Sequence, residues 1–232
     1  FQVAMSEKGR KNETFGLYLL LGGLFITALI TCNLIANKFV TVDLGFKVFT
    51  ISAGVLPYPI TFLLTDILSE IYGRKKTNAV VYTGFFASLF VLFMLFLGSL
   101  FPSIEESPVS DEYYNTVFQN SWRVILASMV AYLTAQLVDV RLFHFWKKLT
   151  KGKKLWLRNN ASTILSQFVD TTLVVLVLFV GVIPIERIGD FILDGWFFKV
   201  LVALMDTVFI YLFIWLIRRR FSLKQGEEID FL

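Results

Sequence analysis

The segment ASTILSQFVDTTLVVLVLFVGV, residues 161–182, is long and apolar enough to cross a bilayer, yet it contains Gln167 and Asp170. A membrane-spanning helix needs about 20 mostly apolar residues, and a carboxylate at its centre costs roughly 2.5–3.5 kcal/mol on insertion scales. A near copy of its polar part, AQLVD at 135–139, occurs one hydrophobic segment earlier. This recurrence of an amide and a carboxylate predicts a polar surface between helices inside a membrane.

The composition of the whole chain is that of an integral membrane protein. Of its 232 residues, 56% are hydrophobic and only 17% are charged, whereas soluble domains carry about 25% charged residues. All the apolar windows are predicted to be helices, because lipid offers no partner for an open strand's backbone groups. We therefore expect a single all-α transmembrane domain over residues 1–232, with six spans at roughly 15–38, 48–72, 77–101, 122–145, 160–183 and 195–217.

The distribution of basic residues predicts the orientation. Sixteen of the 22 Lys and Arg residues fall in four stretches: the N-terminus, the 72–77 turn, the 146–159 loop and the tail after 217. These stretches share one side of the membrane if six helices alternate, whereas the 102–121 loop on the other side is acidic. Because cytoplasmic loops are enriched in Lys and Arg, both termini are predicted to be cytoplasmic. Binding of anionic membrane lipid or of a partner by the 146–159 loop is the alternative interpretation of its charge.

Several classes of site are not expected. One cysteine, Cys32, and one histidine, His144, offer no metal-ligand spacing, so we expect no metal and no other cofactor. Because the basic residues cluster at the ends of apolar segments, we do not expect nucleic-acid binding. The chain lacks HExxH, GxSxG and GxxxxGK[ST], so it should not hydrolyse ATP on its own.

Polar residues recur at helical spacing within three of the spans, which places each set on one face. The set in the fifth span is Asn159, Thr163, Ser166, Gln167 and Asp170. The set in the fourth span is Ser128, Tyr132, Gln136 and Asp139. The set in the second span is Pro59, Phe62, Asp66 and Glu70. Pro57 and Pro59 also predict a break in the second helix near the middle of the membrane.

Three interpretations of these faces are open. Hydrogen bonding between helices is the best explanation for the small polar side chains of Ser128, Thr163 and Thr171. The buried carboxylates and amides favour a solute-binding cavity, since intramembrane acids usually mark functional sites. An aspartyl membrane enzyme, with two aspartates sharing a proton, is the rival. RIGD at 187–190 lacks the first glycine of a GxGD motif, so we expect no enzyme; the role of Asp206 is left open.

A set of motifs in successive spans then points to one family. Besides AQLVD, these are PxxFLxTDxxxExxG from Pro59 to Gly73, ASTxxSQxxDT from Ala161 to Thr171, and FFKV from Phe197 to Val200. In this order and spacing the motifs resemble the queuosine precursor transporter family, also called the vitamin uptake transporter family. The resemblance implies uptake of the 7-deazaguanine bases preQ0 and preQ1, and for some relatives queuine, across the bacterial inner membrane.

This ligand class suggests a role for each candidate residue. A deazaguanine offers adjacent N–H donors to a carboxylate, an O6 acceptor to an amide, and a flat ring to an aromatic side chain. Asp170 is expected to accept from the donor edge, Gln167 and Gln136 to read the base, and Tyr58 and Phe62 to stack on it. The full candidate set is Asn33, Tyr58, Phe62, Asp66, Glu70, Arg123, Gln136, Asp139, Ser166, Gln167, Asp170 and Lys199.

Within that set, the remaining charged residues are given secondary roles. Asp139, Asp66 or Glu70 would meet the aminomethyl cation of preQ1. Arg123 and Lys199 would compensate buried acid or line the outer mouth. A self-sufficient facilitator or proton-linked carrier, in the form of a homodimer, is the preferred mechanism. The alternative is a substrate-binding subunit of an energy-coupling-factor transporter, which requires separate ATPases as partners.

Overall fold

A computed structural model describes residues 7–35, 38–118, 122–179 and 184–230. Its helices are α1 (Glu7–Leu34), α2 (Tyr58–Tyr72), α3 (Arg74–Ser99), α4 (Asp111–Phe118), α5 (Trp122–Leu149), α6 (Leu155–Phe179) and α7 (Ile185–Phe221). Its strands are β1 (Phe39–Asp43) and β2 (Val48–Ser52). Within those ranges, five helical stretches have the length and hydropathy of membrane spans, and α5 with 28 residues is also long enough to cross. The protein is an all-α multi-pass membrane protein with one small hairpin.

The hairpin corrects the prediction for the second span. The window 48–72 begins in β2, which pairs antiparallel with β1 from Phe39↔Ser52 to Asp43↔Val48. Alternating β-branched residues favour strands here, and Gly45 adopts φ +81° in the connecting turn, where a side chain would be strained. A 3₁₀ turn, Ala53–Val55, follows the hairpin. The apolar composition was correctly recognised, but residues 48–52 are not helical.

The prolines of the second span start its helix and do not break it. Pro57 caps α2, and Pro59 lies in the first turn. The first turn tolerates proline because its backbone N–H groups have no intrahelical acceptor. The predicted mid-membrane break is therefore wrong, and α2 runs without interruption to Tyr72. Gly73, at φ +80°, then lets the chain reverse into α3.

The long helices alternate in direction, so the bundle has two distinct ends. One end, called here the basic end, carries Arg74, Lys147, Arg158 and Arg218. The other, called the hairpin end, carries β1 and β2. The start of α1 and the end of α7 meet at the basic end, where Arg10 Nη2 donates to the Phe221 carbonyl at 2.8 Å. Both ends of the described chain lie there; that this side is cytoplasmic remains a prediction.

The packing separates a buried interior from an apolar exterior. Phe25, Leu29, Leu68 and Ile71 are fully buried in the core between the helices. Large apolar side chains cover the outside, for example Phe90 on α3 with 61% of its surface exposed. A water-soluble protein would pay heavily for such a surface, whereas lipid accommodates it.

Helix α7 is the longest element and contacts both ends of the molecule. Its 37 residues span about 56 Å at 1.5 Å per residue, well beyond a hydrocarbon core of about 30 Å. At the hairpin end, Lys47 Nζ lies 2.5 Å from Asp194, and Phe49 packs on Phe198. α6 and α7 are joined further along by hydrogen bonds between Asn160 and Thr207 at 2.8 and 3.0 Å.

The segment after α7, residues 222–230 and called here the tail segment, folds back onto the basic end. The Ile229 N–H donates to the Ile71 carbonyl at 2.6 Å, and the Ile229 side chain is buried in the core. Lys76 Nζ donates to the Ile229 carbonyl at 3.0 Å. A side chain at Gly73 would displace the Glu228 carboxylate and would be strained at φ +80°. The tail segment thereby covers the ends of α2 and α3.

Candidate functional site

Buried and mostly polar side chains of α2, α5 and α6 lie at successive levels along the inside of the bundle, and this set is called here the polar track. They follow the predicted helical faces, whereas Arg141 on α5 points outward and is exposed. Ser128 belongs to the predicted face of α5, but its side chain lies outside the described residues. The buried members are Phe62, Asp66, Glu70, Tyr132, Gln136, Asp139, Asn159, Thr163, Ser166, Gln167 and Asp170.

Toward the hairpin end, the track begins with a balanced ion pair. Lys199 Nζ of α7 lies 2.7 Å from Asp170 Oδ2, and the Tyr58 hydroxyl donates to Asp170 Oδ1 at 3.2 Å. The Lys199 ammonium also lies 4.9 Å from the centre of the Tyr58 ring, and the Phe62 ring meets that ring at 5.6 Å. Four of the candidate residues are thus in mutual contact, and the charge of Asp170 is matched by one cation.

The middle of the track contains two carboxyl groups in contact. Asp66 of α2 and Asp139 of α5 lie within hydrogen-bonding reach of each other, and their exposed fractions are 1% and 0%. Ser166 Oγ of α6 donates to Asp139 Oδ1 at 2.9 Å. Within the described part of the chain, no hydrogen-bond donor reaches either oxygen of Asp66 or Oδ2 of Asp139. These atoms are buried acceptors without donors.

The two amides of the track differ in their hydrogen bonding. Gln136 is held against α2, because Thr65 donates to its Oε1 at 3.3 Å and its Nε2 donates to Thr61 Oγ1 at 3.4 Å. Gln167 Oε1 is buried and has no donor among the described residues. Thr61 and Thr65 were not predicted as part of this site. Their spacing of four, on the face that carries Phe62 and Asp66, was the available signal.

At the basic end, the track finishes in a cluster of charges around one acid, called here the Glu70 cluster. Arg158 Nη2 of α6 lies 2.6 Å from Glu70 Oε1, which Arg218 of α7 also contacts. Lys147 Nζ of α5 lies 3.7 Å from Glu70 Oε2 and 2.9 Å from Oε1 of Glu228 in the tail segment. Four separate parts of the chain therefore converge on α2 here.

The sequence interpretation missed the three cations of the Glu70 cluster. Lys147, Arg158 and Arg218 were assigned to membrane topology or, for the 146–159 loop, to contact with anionic lipid, yet Arg158 is 1% exposed. Arg158 directly precedes Asn159, the first member of the predicted polar face, and Leu155 and Leu157 come just before it. That position at the start of an inward face was the signal that it turns into the bundle.

One candidate residue, Asn33, takes part in none of these contacts. Asn33 lies on α1, where its Nδ2 donates to Met129 Sδ at 3.8 Å. The side chains of Arg123 and Trp122 lie outside the described part of the structure. No group of three or more His, Cys, Asp or Glu residues is placed to hold a metal ion within the described ranges. The track is chemically an acceptor-rich lining with aromatic rings at one end.

Comparisons with known proteins identify relatives. Residues 52–213 match the family model described as "Putative vitamin uptake transporter". A "Probable queuosine precursor transporter" of Bacillus subtilis is 29% identical over 70% of this chain and 71% of its own length. A "Probable queuosine precursor transporter" of Haemophilus influenzae is 28% identical over 51% of this chain and 47% of its own length. The "Queuosine precursor transporter" of Escherichia coli is 24% identical over 59% of this chain and 58% of its own length.

No solved structure matches the chain. The named relatives are transporters and not enzymes, in agreement with the absence of hydrolase motifs from the sequence. The family model covers the chain from just before α2 to the last part of α7, and this region contains the residues of the polar track. This chain is a multi-pass bacterial membrane protein that belongs to the vitamin uptake transporter family.

Proposed function

We propose that this protein imports queuosine precursors, the 7-deazaguanine bases preQ0 and preQ1, across the bacterial inner membrane along the polar track. The observation that carries the proposal is the set of buried acceptors without donors: both oxygens of Asp66, Oδ2 of Asp139 and Oε1 of Gln167. Buried polar atoms in native proteins are nearly always hydrogen-bonded, so such a set favours a ligand rich in N–H donors. The names of the relatives support the same ligand class.

A deazaguanine matches this lining in chemistry. Its pairing edge carries adjacent N–H donors, which suit a carboxylate or an amide oxygen. Its flat ring suits the aromatic pair Tyr58 and Phe62, which lie about two turns and one turn before Asp66 along α2. In this proposal the base rests with its ring near Tyr58 and its donor edge toward Gln167.

Asp170 has a defined place in this proposal. It is held by Lys199 and Tyr58, so a ligand donor must share the carboxylate with them or displace one of them. Sharing is favourable because an ionised carboxylate accepts about four hydrogen bonds through its two oxygens. Asp170 therefore orients the base while Lys199 keeps the buried charge balanced.

The test is uptake of labelled preQ0 and preQ1 into cells that cannot synthesise them and have this protein as the sole route. We expect accumulation with the unaltered protein and its loss with Gln167→Met, which removes the buried acceptor and keeps the side-chain volume. Asn115→Leu, on the exposed helix α4, is the matched control and should transport normally. Absence of uptake by the unaltered, membrane-inserted protein would overturn the proposal.

Reconstitution decides whether the chain works alone. The purified protein in vesicles of pure lipid contains no ATPase partner. Exchange of labelled preQ0 against unlabelled preQ0 across these vesicles is expected if the chain is a complete carrier. Binding of preQ0 without exchange would instead identify a substrate-binding subunit that requires separate ATPases.

A further inference from the structure

We propose that Asp66 and Asp139 together form a proton-binding site, and that one proton enters the cell with each neutral base. This inference rests on the proposed function, since it concerns how the same import is driven. It concerns the middle of the polar track, where α2, α5 and α6 meet.

The contact between the two carboxyl groups is the first observation. They lie within hydrogen-bonding reach, yet a carboxylate has no proton to donate, so a hydrogen bond between them requires one proton on the pair. Ionising two carboxyl groups that are in contact inside a protein costs much free energy, because the two negative charges repel. Such pairs in other proteins share one proton for this reason. Burial of both side chains removes the water that would otherwise screen the repulsion.

The charge balance of the surrounding residues is the second observation. The charged groups facing the pair are Glu70 from α2 and Arg158 from α6, and these belong to the Glu70 cluster. The pair and the cluster together hold four acids and three bases. The acids are Asp66, Asp139, Glu70 and Glu228, and the bases are Lys147, Arg158 and Arg218. One surplus negative charge remains, and one bound proton neutralises it.

All three bases of the Glu70 cluster already have acid partners, and two of them make further contacts. Arg158 also donates to the carbonyls of Gly152 and Lys153 at 2.9 and 3.1 Å. Lys147 donates to the Glu70 carbonyl at 3.1 Å in addition to its two acid partners. Further along the track, Lys199 is occupied by Asp170 at 2.7 Å. Among the described residues, Arg158 is the cation that faces the pair, and its charge is already shared with Glu70.

The position of the pair links the proton to the transported base. Ser166 donates to Asp139, and its chain neighbour Gln167 presents one of the acceptors assigned to the base. A base that reaches Gln167 is therefore next to the carboxyl pair, and a rearrangement of α6 affects both. A preQ1 molecule carries its own aminomethyl cation, which can replace the proton, whereas preQ0 has no such cation. Proton dependence should therefore be greatest for preQ0.

The experiment uses the purified protein in pure lipid vesicles, with the membrane potential held at zero and an imposed pH gradient, acid outside. A gradient of one pH unit corresponds to about tenfold accumulation of preQ0 for a carrier that moves one proton per base. We expect about that ratio with the unaltered protein. Asp66→Asn and Asp139→Asn should show no accumulation of preQ0 driven by the gradient.

Asp206→Asn is the matched control, because Asp206 is a half-buried acid on α7 that takes part in none of the contacts described above. This variant should accumulate preQ0 as the unaltered protein does. If the Asn variants fail to exchange at all, Asp66→Glu and Asp139→Glu, which restore an ionisable group, should recover exchange and accumulation. Failure of both Glu variants would assign the two residues to folding and overturn the proposal.

The outcomes separate this inference from the proposed function. No exchange of preQ0 by the unaltered protein contradicts the proposed function itself. Exchange without accumulation under the pH gradient overturns the proton site and leaves the transported base unchanged. Equal accumulation by the unaltered protein and both Asn variants likewise overturns the assignment to Asp66 and Asp139.

Discussion

Asp66 and Glu70 lie one turn apart on the same face of α2, and both are buried, yet their surroundings are opposite. Glu70 is surrounded by Arg158, Arg218 and Lys147. Asp66 is in contact with a second carboxyl group, Asp139. Each acid is costly within a membrane helix. Burial alone therefore does not determine the role of an acid in this protein, whereas the partners of the acid do.

Glu70 acts as a fixed junction at the basic end. It joins α2 to α5, α6 and α7, and through Lys147 also to the tail segment. Removing one partner from a buried ionic cluster leaves the others without compensation, which costs about 3–5 kcal/mol. The Asp66 pair has the opposite problem, because it already contains more acid than base. Substitutions at these two acids and at two other ion pairs distinguish the two roles.

Glu70→Gln should be the most damaging change. It removes the anion and leaves three cations together at the basic end, so we expect a loss of about 3–5 kcal/mol in the free energy of unfolding. Unfolding in detergent, followed by tryptophan fluorescence, measures the effect. Glu13→Gln is the control, because Glu13 pairs with Arg220 at 3.0 Å on the exposed surface and should matter little. Equal stability of Glu70→Gln and the unaltered protein would refute the junction.

Asp170→Asn should abolish most transport while the protein still folds. It removes the partner of Lys199 and a charged acceptor for the base. Losing one partner of a buried, charged hydrogen bond costs about 2 kcal/mol or more in binding free energy. Uptake of labelled preQ1 should fall by about thirtyfold or more at unchanged expression.

The double variant Asp170→Asn with Lys199→Met separates charge balance from base recognition. It removes both charges of the pair, so stability should return toward that of the unaltered protein. Uptake of preQ1 should stay low, because the acceptor is still missing. Recovery of uptake would show that Asp170 serves only to neutralise Lys199.

Asp66→Asn should affect stability in the opposite sense to Glu70→Gln. It removes one of two acids in contact, and the new amide can donate to Asp139. We expect the free energy of unfolding to stay within about 1 kcal/mol of the unaltered value, or to rise. The same unfolding measurement applies, and a loss as large as that of Glu70→Gln would show that the two acids have the same role.

Lys47→Met at the hairpin should have the smallest effect. Lys47 pairs with Asp194 at 2.5 Å, but both side chains are well exposed to the surroundings. Exposed ion pairs contribute about 0–1 kcal/mol, so the change in unfolding free energy should be within that range. A larger loss would indicate that the hairpin depends on this contact as the basic end depends on Glu70.

The hydropathy and helical spacing of the sequence were sufficient to predict the membrane class and the inward faces. Gln136, Asp139, Gln167 and Asp170 are all buried on the faces that their spacing indicated. The predicted start of the second span, at residue 48, was wrong because VFTIS at 48–52 is as apolar as a helical segment but forms a strand. Hydropathy does not distinguish a short apolar strand from the first turns of a helix.

The Glu70 cluster could not be predicted for a different reason. Its members are far apart in sequence; Glu70 and Arg218 are separated by 148 in residue number. Basic residues at helix ends usually face the aqueous phase and mark topology, and nothing local to Lys147 distinguishes it from its neighbour Lys148. Only the folded bundle shows that Lys147 is buried, whereas Lys148 is exposed. Pairings between distant helices are decided by packing, which a single sequence does not display.

Helix α7 has a mechanical consequence. Lys199 and Arg218 are 19 residues apart, about 28 Å along a helix, which nearly equals the thickness of the hydrocarbon core. One stiff helix thus holds two acid partners at levels about one hydrocarbon thickness apart, Asp170 at one level and Glu70 at the other. If this helix rocks about its middle, its two cations move in opposite directions. The same movement then loosens one of the two ion pairs and tightens the other.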